Sequence, residues 1–351
     1  MSRLSYHHLV AASQAGGANT LRLSTDLAAA GGPHVAISPA PRPSRGAPVP
    51  AAQNRLIDGT ATAAVVIDDN ASQIQRVQDA IMAAIAAEHP LLSRVPRLQV
   101  RYDGAWTCYT DLELPQGIFD AHIVAGSIDG TPAMGHPAYR AARHSSPENA
   151  RALMQISPGH LVFGVDPASE GHSRFRSALS AEILGVPVDG FSAPPPRPGG
   201  DAGVCCGRIL RTQVLSFAAL RQLRFDCGPA GDEAARALLA AYVLAGVVRA
   251  NAELSIRSNC DLVENGPTRL TLDARDGQFV ELAAPSIDET DELLEHALGE
   301  AYREADITWR GQVLQVTGNP AAGQAGTPPA AGAPRRFRLP HFTDARRAEA
   351  R

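Results

Sequence analysis

The alternation of apolar and polar residues along the chain predicts a mixture of strands and helices. A period of two indicates strands over 20–24, 61–67, 161–165, 208–217, 254–263, 269–272 and 312–316. Apolar spacings of three and four indicate helices over 72–88, 173–184, 232–251 and 288–304. The two kinds of element do not alternate regularly enough for a doubly wound parallel sheet. The pattern therefore predicts an α+β fold, with an antiparallel or mixed sheet and helices on one face.

The first predicted helix has an apolar stripe and a polar first turn. Ser72 followed by Gln75 has the spacing of a capping box. Arg76 lies off the apolar stripe, close to amides that lack helical partners, and this combination suits a phosphate group. The alternative is a capped helix in which Arg76 pairs with Asp79 or Asp69.

The segment 254–263 alternates cleanly enough to predict a single strand with two different faces. Its apolar side consists of Leu254, Ile256, Cys260 and Leu262, and its polar side of Ser255, Arg257, Asn259 and Asp261. Such a polar face resembles the open sheet of RNA-binding modules, but it carries no aromatic side chain on which a base could stack. Contact with the nucleic-acid backbone is therefore the favoured interpretation, and a solvated face with Arg257 paired to Asp261 is the alternative.

A third polar segment follows the strand predicted over 161–165. His172, Arg174 and Arg176 lie between this strand and the helix predicted over 173–184, whose end is indicated by Gly185 and Pro187. Loops between a strand and a helix often carry function. A single histidine in a loop, such as His172, is more often a structural residue than a catalytic one.

The amino-acid composition excludes several classes of protein function. All 32 cationic side chains are arginine, in a chain of 351 residues with net charge -4. The absence of lysine excludes a Walker A loop, a pyridoxal Schiff base and a lysine general base. The planar guanidinium fork suits phosphate recognition. The five cysteines lack paired CxxC spacing, so we expect reduced thiols, no metal and no cofactor.

The distribution of proline, glycine and apolar residues predicts which segments are loops and whether the chain could cross a membrane. Segments 31–50 and 187–203 are predicted as long loops, and the Ala/Gly/Pro/Arg-rich tail 318–351 is predicted to be disordered. The longest apolar run, 237–248, is too short to cross a bilayer. No signal segment opens the chain, so we expect a cytoplasmic protein without membrane contact.

Six short motifs occur in an order that resembles one known family. They are Ser72-Gln73-x-x-Arg76, Leu114-Pro115 with Phe119-Asp120-Ala121, Leu161 to Gly164, Arg174-Phe175 with Ala178 to Ile183, Leu215 to Phe225, and Ile256 to Leu262. Together they resemble the CRISPR-associated RAMP protein of type I-U (I-G) systems, the Cascade backbone subunit. The chain departs from the family at Gln75, where the family has Asn, at Gln116-Gly117, where it has His-Arg, and near Val165, where it has tryptophan.

The resemblance implies a ferredoxin-like (RRM-like) antiparallel core spanning 1–317, with insertions near 103–158 and 187–203. It implies a non-catalytic subunit that packs side by side with further copies along crRNA and joins other Cascade subunits. The crRNA would then pair with a target DNA strand. By matched position, the residues expected at or near the RNA are Ser72, Gln73, Arg76, His172, Arg174, Arg176, Arg257 and Asn259.

Two other functions remain open from the sequence. Some RAMP proteins are RNA endonucleases, and a metal-free cleavage site would need an acid and a base flanking a phosphate. The candidate residues for that chemistry are His160, His172, Asp68, Asp69 and Asp166. The third possibility is an unrelated α+β protein with a small-molecule site, which would be a monomer free of nucleic acid.

Overall fold

A computed structural model describes residues 1–42, 49–50, 52–102, 108–165, 175–188, 203–275 and 277–319. The α-helices are α1 (Tyr6–Ser13), α2 (Asn70–Ala86), α3 (Ala121–Val124), α4 (Pro137–Arg143), α5 (Arg151–Met154), α6 (Gly159–Phe163), α7 (Phe217–Leu220), α8 (Gly228–Asn251) and α9 (Ile287–Ala305). Short 3-10 helices lie at Leu92–Arg94, Gly117–Phe119 and Ala133–Gly135.

The strands of the first half are β1 (Ser2–Arg3), β2 (Thr20–Ala29), β3 (Pro41–Arg42), β4 (Val49–Pro50), β5 (Ala52–Ile57), β6 (Thr60–Asp68), β7 (Arg97–Arg101), β8 (Cys108–Thr110), β9 (Ser127–Ile128) and β10 (Thr131–Pro132). Those of the second half are β11 (Leu179–Pro187), β12 (Cys206–Ser216), β13 (Ser255–Arg257), β14 (Cys260–Glu264), β15 (Arg269–Asp273), β16 (Phe279–Ala283) and β17 (Val313–Thr317).

Within the described residues, the larger sheet has the strand order β1-β16-β15-β2-β12-β11-β6-β5, and the β13–β14 hairpin joins it where β14 pairs with β2. Its neighbours are antiparallel except β1 and β16. A second sheet has the order β10-β9-β17-β7-β8, in which β17 and β7 run parallel. The predicted α+β class, with mixed sheets, is confirmed.

The larger sheet has one buried face and one partly exposed face. Along β2, Leu21 and Leu23 are buried whereas Arg22 and Ser24 are not, as the alternation of strand side chains requires. The buried face packs in the main core together with residues of α1, α2, α8 and α9. Along the chain, α2 directly follows β6 and precedes β7, the first strand of the second sheet.

Helix α8 is buried on nearly all sides because it packs against α1, α2 and α9. Its contact with α2 is especially close at Gly246. A Cβ placed there would lie 2.7 Å from Ile81 Cδ1 and 2.9 Å from Val77 Cγ1. Glycine is therefore the residue that allows these two helices to approach.

Two predictions of secondary structure are wrong: one predicted strand is a helix, and one predicted helix is a strand. The strand predicted over 161–165 is helix α6, followed by Gly164 at φ +80° and by Val165, which forms a bridge to Phe175. Leu161, Val162 and Phe163 are all buried, and such a short apolar run has no period that separates helix from strand.

Within the helix predicted over 173–184, residues 179–184 belong to strand β11, residues 175–178 precede that strand and are not helical, and 173–174 lie outside the described residues. Leu179, Ala181 and Ile183 are buried, in alternation with the more exposed Ser180 and Glu182. The strand pairs with β12 on one side and β6 on the other, so tertiary pairing overrides its helix-forming residues. The predicted helix-ending residues Gly185 and Pro187 lie within this strand.

The single strand predicted over 254–263 is instead the β13–β14 hairpin. Its turn is Ser258–Asn259, and Asn259 has φ 58°, a left-handed conformation that asparagine tolerates better than most residues. The apolar assignment is correct for Ile256, Cys260 and Leu262, which are buried.

The predicted insertion 103–158 contains structure where it is described. Residues 108–158 include β8, β9, β10 and helices α3, α4 and α5, and they complete the second sheet. Residues 103–107, most of the predicted loop 187–203, and residues 320–351 of the predicted tail lie outside the described residues.

We expect Gly246→Ala to lower the free energy of unfolding by about 1–3 kcal/mol, because the added methyl group overpacks the α2–α8 contact. The matched control is Gly299→Ala on α9, where a Cβ meets nothing within 4 Å. There, the better helix propensity of alanine should stabilise by up to about 1 kcal/mol. Urea denaturation measures both, and equal stability of the two variants would contradict the close approach.

Candidate functional site

The candidate site is centred on Asp68, the last residue of β6. The strand brings Asp68 to the end of a buried apolar run, Ala64 to Ile67, and its carboxylate has no exposed surface. The chain then turns, and the next residue, Asp69, caps α2. A carboxylate in this position is stable only with hydrogen-bond donors around it.

Three side chains supply these donors. Gln73 Nε2 and Arg76 Nε donate to Asp68 Oδ2 over 2.6 and 2.9 Å. Arg257 Nη2 donates to Asp68 Oδ1 over 2.7 Å. Gln73 and Arg76 lie one turn apart on α2, whereas Arg257 comes from β13. Three of the predicted RNA-binding residues therefore meet at one carboxylate.

Both guanidinium groups also bind backbone carbonyls. Arg76 Nη2 donates to the carbonyl of Ile256, and Arg257 Nη1 donates to the carbonyls of Ser38, over 3.0 Å, and Ile67. These bonds tie the hairpin to β6 and α2. Neither sequence alternative is correct, since Arg76 pairs with neither Asp79 nor Asp69, and Arg257 does not pair with Asp261.

The cluster combines firm positioning with access. Two guanidinium groups and one carboxylate leave one excess positive charge, and each arginine side chain retains 26% exposure. The carboxylate is fully covered, so a ligand approaching from solvent meets the cations and not the anion. Such an arrangement can bind a phosphate oxygen with little reorganisation.

Ser72 lies in the first turn of α2, but the predicted capping box is wrong. The helix begins at Asn70, and the carboxylate of Asp69 accepts a hydrogen bond from the Ser72 backbone amide over 2.9 Å. The cap therefore lies three residues earlier than predicted. Aspartate is a strong N-cap, and the two consecutive aspartates in the sequence are the signal that could have located it.

Two further predicted RNA-binding residues, Asn259 and Arg176, are described and are not members of the Asp68 cluster. Asn259 is exposed in the hairpin turn, next to the strand that carries Arg257, and its carbonyl accepts from the Ser38 amide. Arg176 is exposed shortly before β11. His172 and Arg174 lie outside the described residues.

The nuclease candidates do not form one site among the described residues. His160 is buried on α6, where the Ser157 hydroxyl lies between His160 Nδ1 and the carboxylate of Asp111. The distance from His160 Nδ1 to Asp111 Oδ2 is 3.4 Å. A Cβ on Gly117 would lie only 1.8 Å from His160 Nε2, so the backbone covers the other ring nitrogen.

Asp68 and Asp69 act elsewhere, as the centre of the arginine cluster and as the cap of α2. Asp166 lies outside the described residues. Within the described part of the chain, no group of three His, Cys, Asp or Glu side chains could hold a metal ion. No described helix is long and apolar enough to span a membrane.

The two arginines of β12 lie on opposite faces of the sheet, which was not predicted from the sequence. Arg208 lies on the partly exposed face and pairs with Asp26 over 2.9 Å. Arg211 lies on the buried face and pairs with Glu264 over 3.2 Å. Their spacing of three residues in a strand is the signal, because side chains an odd number apart point to opposite faces.

Part of the chain matches a known family of proteins. Residues 21–190, just under half of the chain, match the family model described as CRISPR-associated protein GSU0053. Among solved structures, the chain is similar to one described as "Type IV-B CRISPR Complex", with 13% identity, a TM-score of 0.29, and coverage of 78% of this chain and 98% of that chain. No curated protein matches. The family match supports a CRISPR-associated protein.

We expect Asp68→Ala to lower the free energy of unfolding by about 2–4 kcal/mol, because it leaves two partly buried guanidinium groups without their carboxylate. Asp79→Ala is the control: Asp79 is exposed on α2 and accepts a hydrogen bond only from Gln75 among the described contacts. Its effect should stay below about 0.5 kcal/mol. Chemical denaturation of both variants tests the difference, and similar midpoints would contradict the central role of Asp68.

The buried pair Asp111 and His160 generates a prediction about pH. Burial raises the pKa of Asp111 to about 7 and lowers the pKa of His160 to about 4. Between these values the folded protein holds a proton on Asp111, whereas the unfolded chain below pH 6.5 holds one on the histidine. The two contributions to the pH dependence of stability therefore oppose each other.

Single substitutions should separate these contributions. In His160→Gln, only the raised pKa of Asp111 remains, so stability relative to the unmodified protein should rise as pH falls from 7 to about 4.5. In Asp111→Asn, the lowered pKa of His160 remains, so relative stability should fall as pH falls from 6.5 to about 4.5. Urea denaturation across this range measures both slopes, and slopes of the same sign would contradict the assignment.

Proposed function

We propose that this chain is a non-catalytic backbone subunit of a type I CRISPR effector complex (Cascade), of the RAMP class found in type I-U (I-G) systems. In this role, several copies pack along crRNA and join other subunits in the cytoplasm. The bound crRNA is presented for pairing with a target DNA strand. The observation that carries the proposal is the pair of guanidinium groups, Arg76 and Arg257, held around buried Asp68 in a chain that matches a CRISPR-associated family.

The chemistry of the pair fits binding to the RNA backbone. A scaffold that leaves sequence recognition to base pairing needs charge and shape more than base contacts. Arginine supplies charge that is independent of pH and a fork that matches phosphate oxygens. Aromatic residues make up only 5% of the chain, which agrees with recognition of backbone more than stacking on bases.

The larger sheet is antiparallel apart from β1, and its core helices pack on one face, which is compatible with an RRM-like core. In the proposal, Ser72 and Asn259 flank the arginine pair on the two elements that it joins, and Arg174, Arg176 and His172 contribute from the segment before β11. The nuclease alternative gains no support from His160, because that imidazole is covered on both sides.

Purification with a candidate guide RNA tests the proposal most directly. Size exclusion with light scattering and the absorbance ratio should reveal a large particle with several protein copies and intact RNA. A monomer free of nucleic acid would overturn the proposal. If the RNA is shortened by the unmodified protein but stays intact with a His172 or Asp69 variant, the nuclease alternative would replace the proposal.

We expect Arg76→Gln and Arg257→Gln each to weaken RNA binding and to reduce the slope of log affinity against log salt by up to about one unit, since each removes a phosphate contact. Arg249→Gln is the matched control, because Arg249 is also mostly buried and paired, with Asp291 at 2.7 Å. Thermal denaturation of all three variants separates lost stability from lost binding. An unchanged salt slope for both cluster variants would reject their role.

A further inference from the structure

Three arginines are buried in the described part of the chain: Arg143, Arg211 and Arg236. Arg211 pairs with Glu264 over 3.2 Å, and Arg236 pairs with Asp232 over 3.3 Å. Arg143 is only 6% exposed, yet no carboxylate of the described residues lies within 4 Å of it. Arg143 therefore lacks the carboxylate partner that Arg211 and Arg236 have. Burying a cation without an anion raises the free energy of the folded state.

The guanidinium of Arg143 is held by aromatic rings. Its central carbon lies 5.5 Å from the ring centre of Phe119 and 5.9 Å from that of Tyr139. The Tyr139 hydroxyl donates to the Ile118 carbonyl over 2.6 Å, which fixes that ring. Cation–π contacts of this kind orient an arginine without neutralising its charge.

The hydrogen-bonding capacity of Arg143 is poorly used. Its Nη1 donates to the sulfur of Met134, a weak acceptor, and its Nε is buried without a partner. Met134 is 46% exposed, so its flexible side chain covers the guanidinium from the solvent side. A stronger acceptor could take the place of the sulfur if the methionine side chain rotated away.

The helix that carries Arg143 has further positive charge, whereas the nearby buried carboxylate of Asp120 accepts hydrogen bonds from the backbone amides of Gln116 and His122. Arg140 is exposed and lies one turn before Arg143 on α4. No acidic residue occurs between Asp129 and Glu148, although the chain as a whole has net charge -4. The local excess favours an anionic ligand over a neutral one.

We propose that Arg143, together with Arg140, forms a second phosphate-binding site, which takes a phosphate of a nucleic-acid backbone after the Met134 side chain moves aside. The proposal rests on the proposed function for the source of the phosphate. Two cations one helical turn apart suit a repeating polyanion, and the orientation of Arg143 by two rings lowers the cost of binding.

The Arg143 site is distinct from the Asp68 cluster. Asp68 is bound by residues of α2 and β13, whereas Arg143 lies on α4 and contacts Met134, Phe119 and Tyr139. The two sites would therefore bind different phosphates of one strand or phosphates of different strands.

The test compares Arg143→Met with Arg236→Met in the full chain. Fluorescence anisotropy with single-stranded RNA and single-stranded DNA oligonucleotides, over a range of salt, measures affinity and slope. We expect Arg143→Met to weaken binding several-fold and to lower the salt slope by up to about one unit. We expect its thermal stability without nucleic acid to be retained, whereas Arg236→Met should lose stability because it leaves Asp232 unpaired.

Each outcome decides the proposal. A slope unchanged by Arg143→Met, or a stability loss equal to that of Arg236→Met, would show a structural arginine and overturn it. Should Arg143→Met not fold, exposed Arg140→Gln gives the same readout, and an unchanged slope overturns the proposal. Arg143→Met could instead change only the self-association of protein that has been freed of nucleic acid by nuclease treatment. That result would also overturn the proposal, in favour of an acidic protein partner. An effect with one oligonucleotide alone would support the site and identify its source as RNA or DNA.

The controls separate this proposal from the proposed function. If the unmodified protein binds RNA and depends on Arg76 and Arg257 but not on Arg143, only the second site fails. If the unmodified protein binds no nucleic acid at all, the proposed function fails together with it.

Discussion

The arrangement of the site depends on burial of the Asp68 carboxylate. An ionised carboxylate without exposed surface requires donors on both oxygens, and here they come from α2 and from β13. Because the same arginines also bind the carbonyls of Ile256, Ser38 and Ile67, one buried charge joins β6, α2, the hairpin and the segment before β3. The position of the two guanidinium groups is thus a consequence of the fold and not of local sequence.

The balance of charge differs between the two cationic sites. At Asp68, two arginines share one carboxylate, so these three groups together carry one positive charge. At Arg143, aromatic rings hold the cation, and no described carboxylate lies within 4 Å of it. A protein with net negative charge can therefore present local positive sites to a polyanion, because the field near a surface depends on distribution more than on the total.

Burial acts in the opposite way on Asp111 and His160. Near neutral pH and below, desolvation favours the protonated acid and the neutral imidazole, and the Ser157 hydroxyl lies between them. The group contains the residue types of a hydrolytic triad, but all three side chains are buried in the core. Side-chain identity alone does not distinguish such a core network from a catalytic site, whereas access does.

The sequence alone determined the long elements and the type of chemistry. Helices α2, α8 and α9 and strands β2, β6, β12 and β15 have patterns strong enough to predict, and the arginine-rich polar segments were recognised as candidate phosphate contacts. Only the tertiary structure decided α6, β11 and the hairpin, since short or fully buried segments lack a decisive period. It also decided that Arg257 meets Asp68, 189 residues earlier. Periodicity reports the face on which a residue lies, but the partner on that face is set by packing between distant segments.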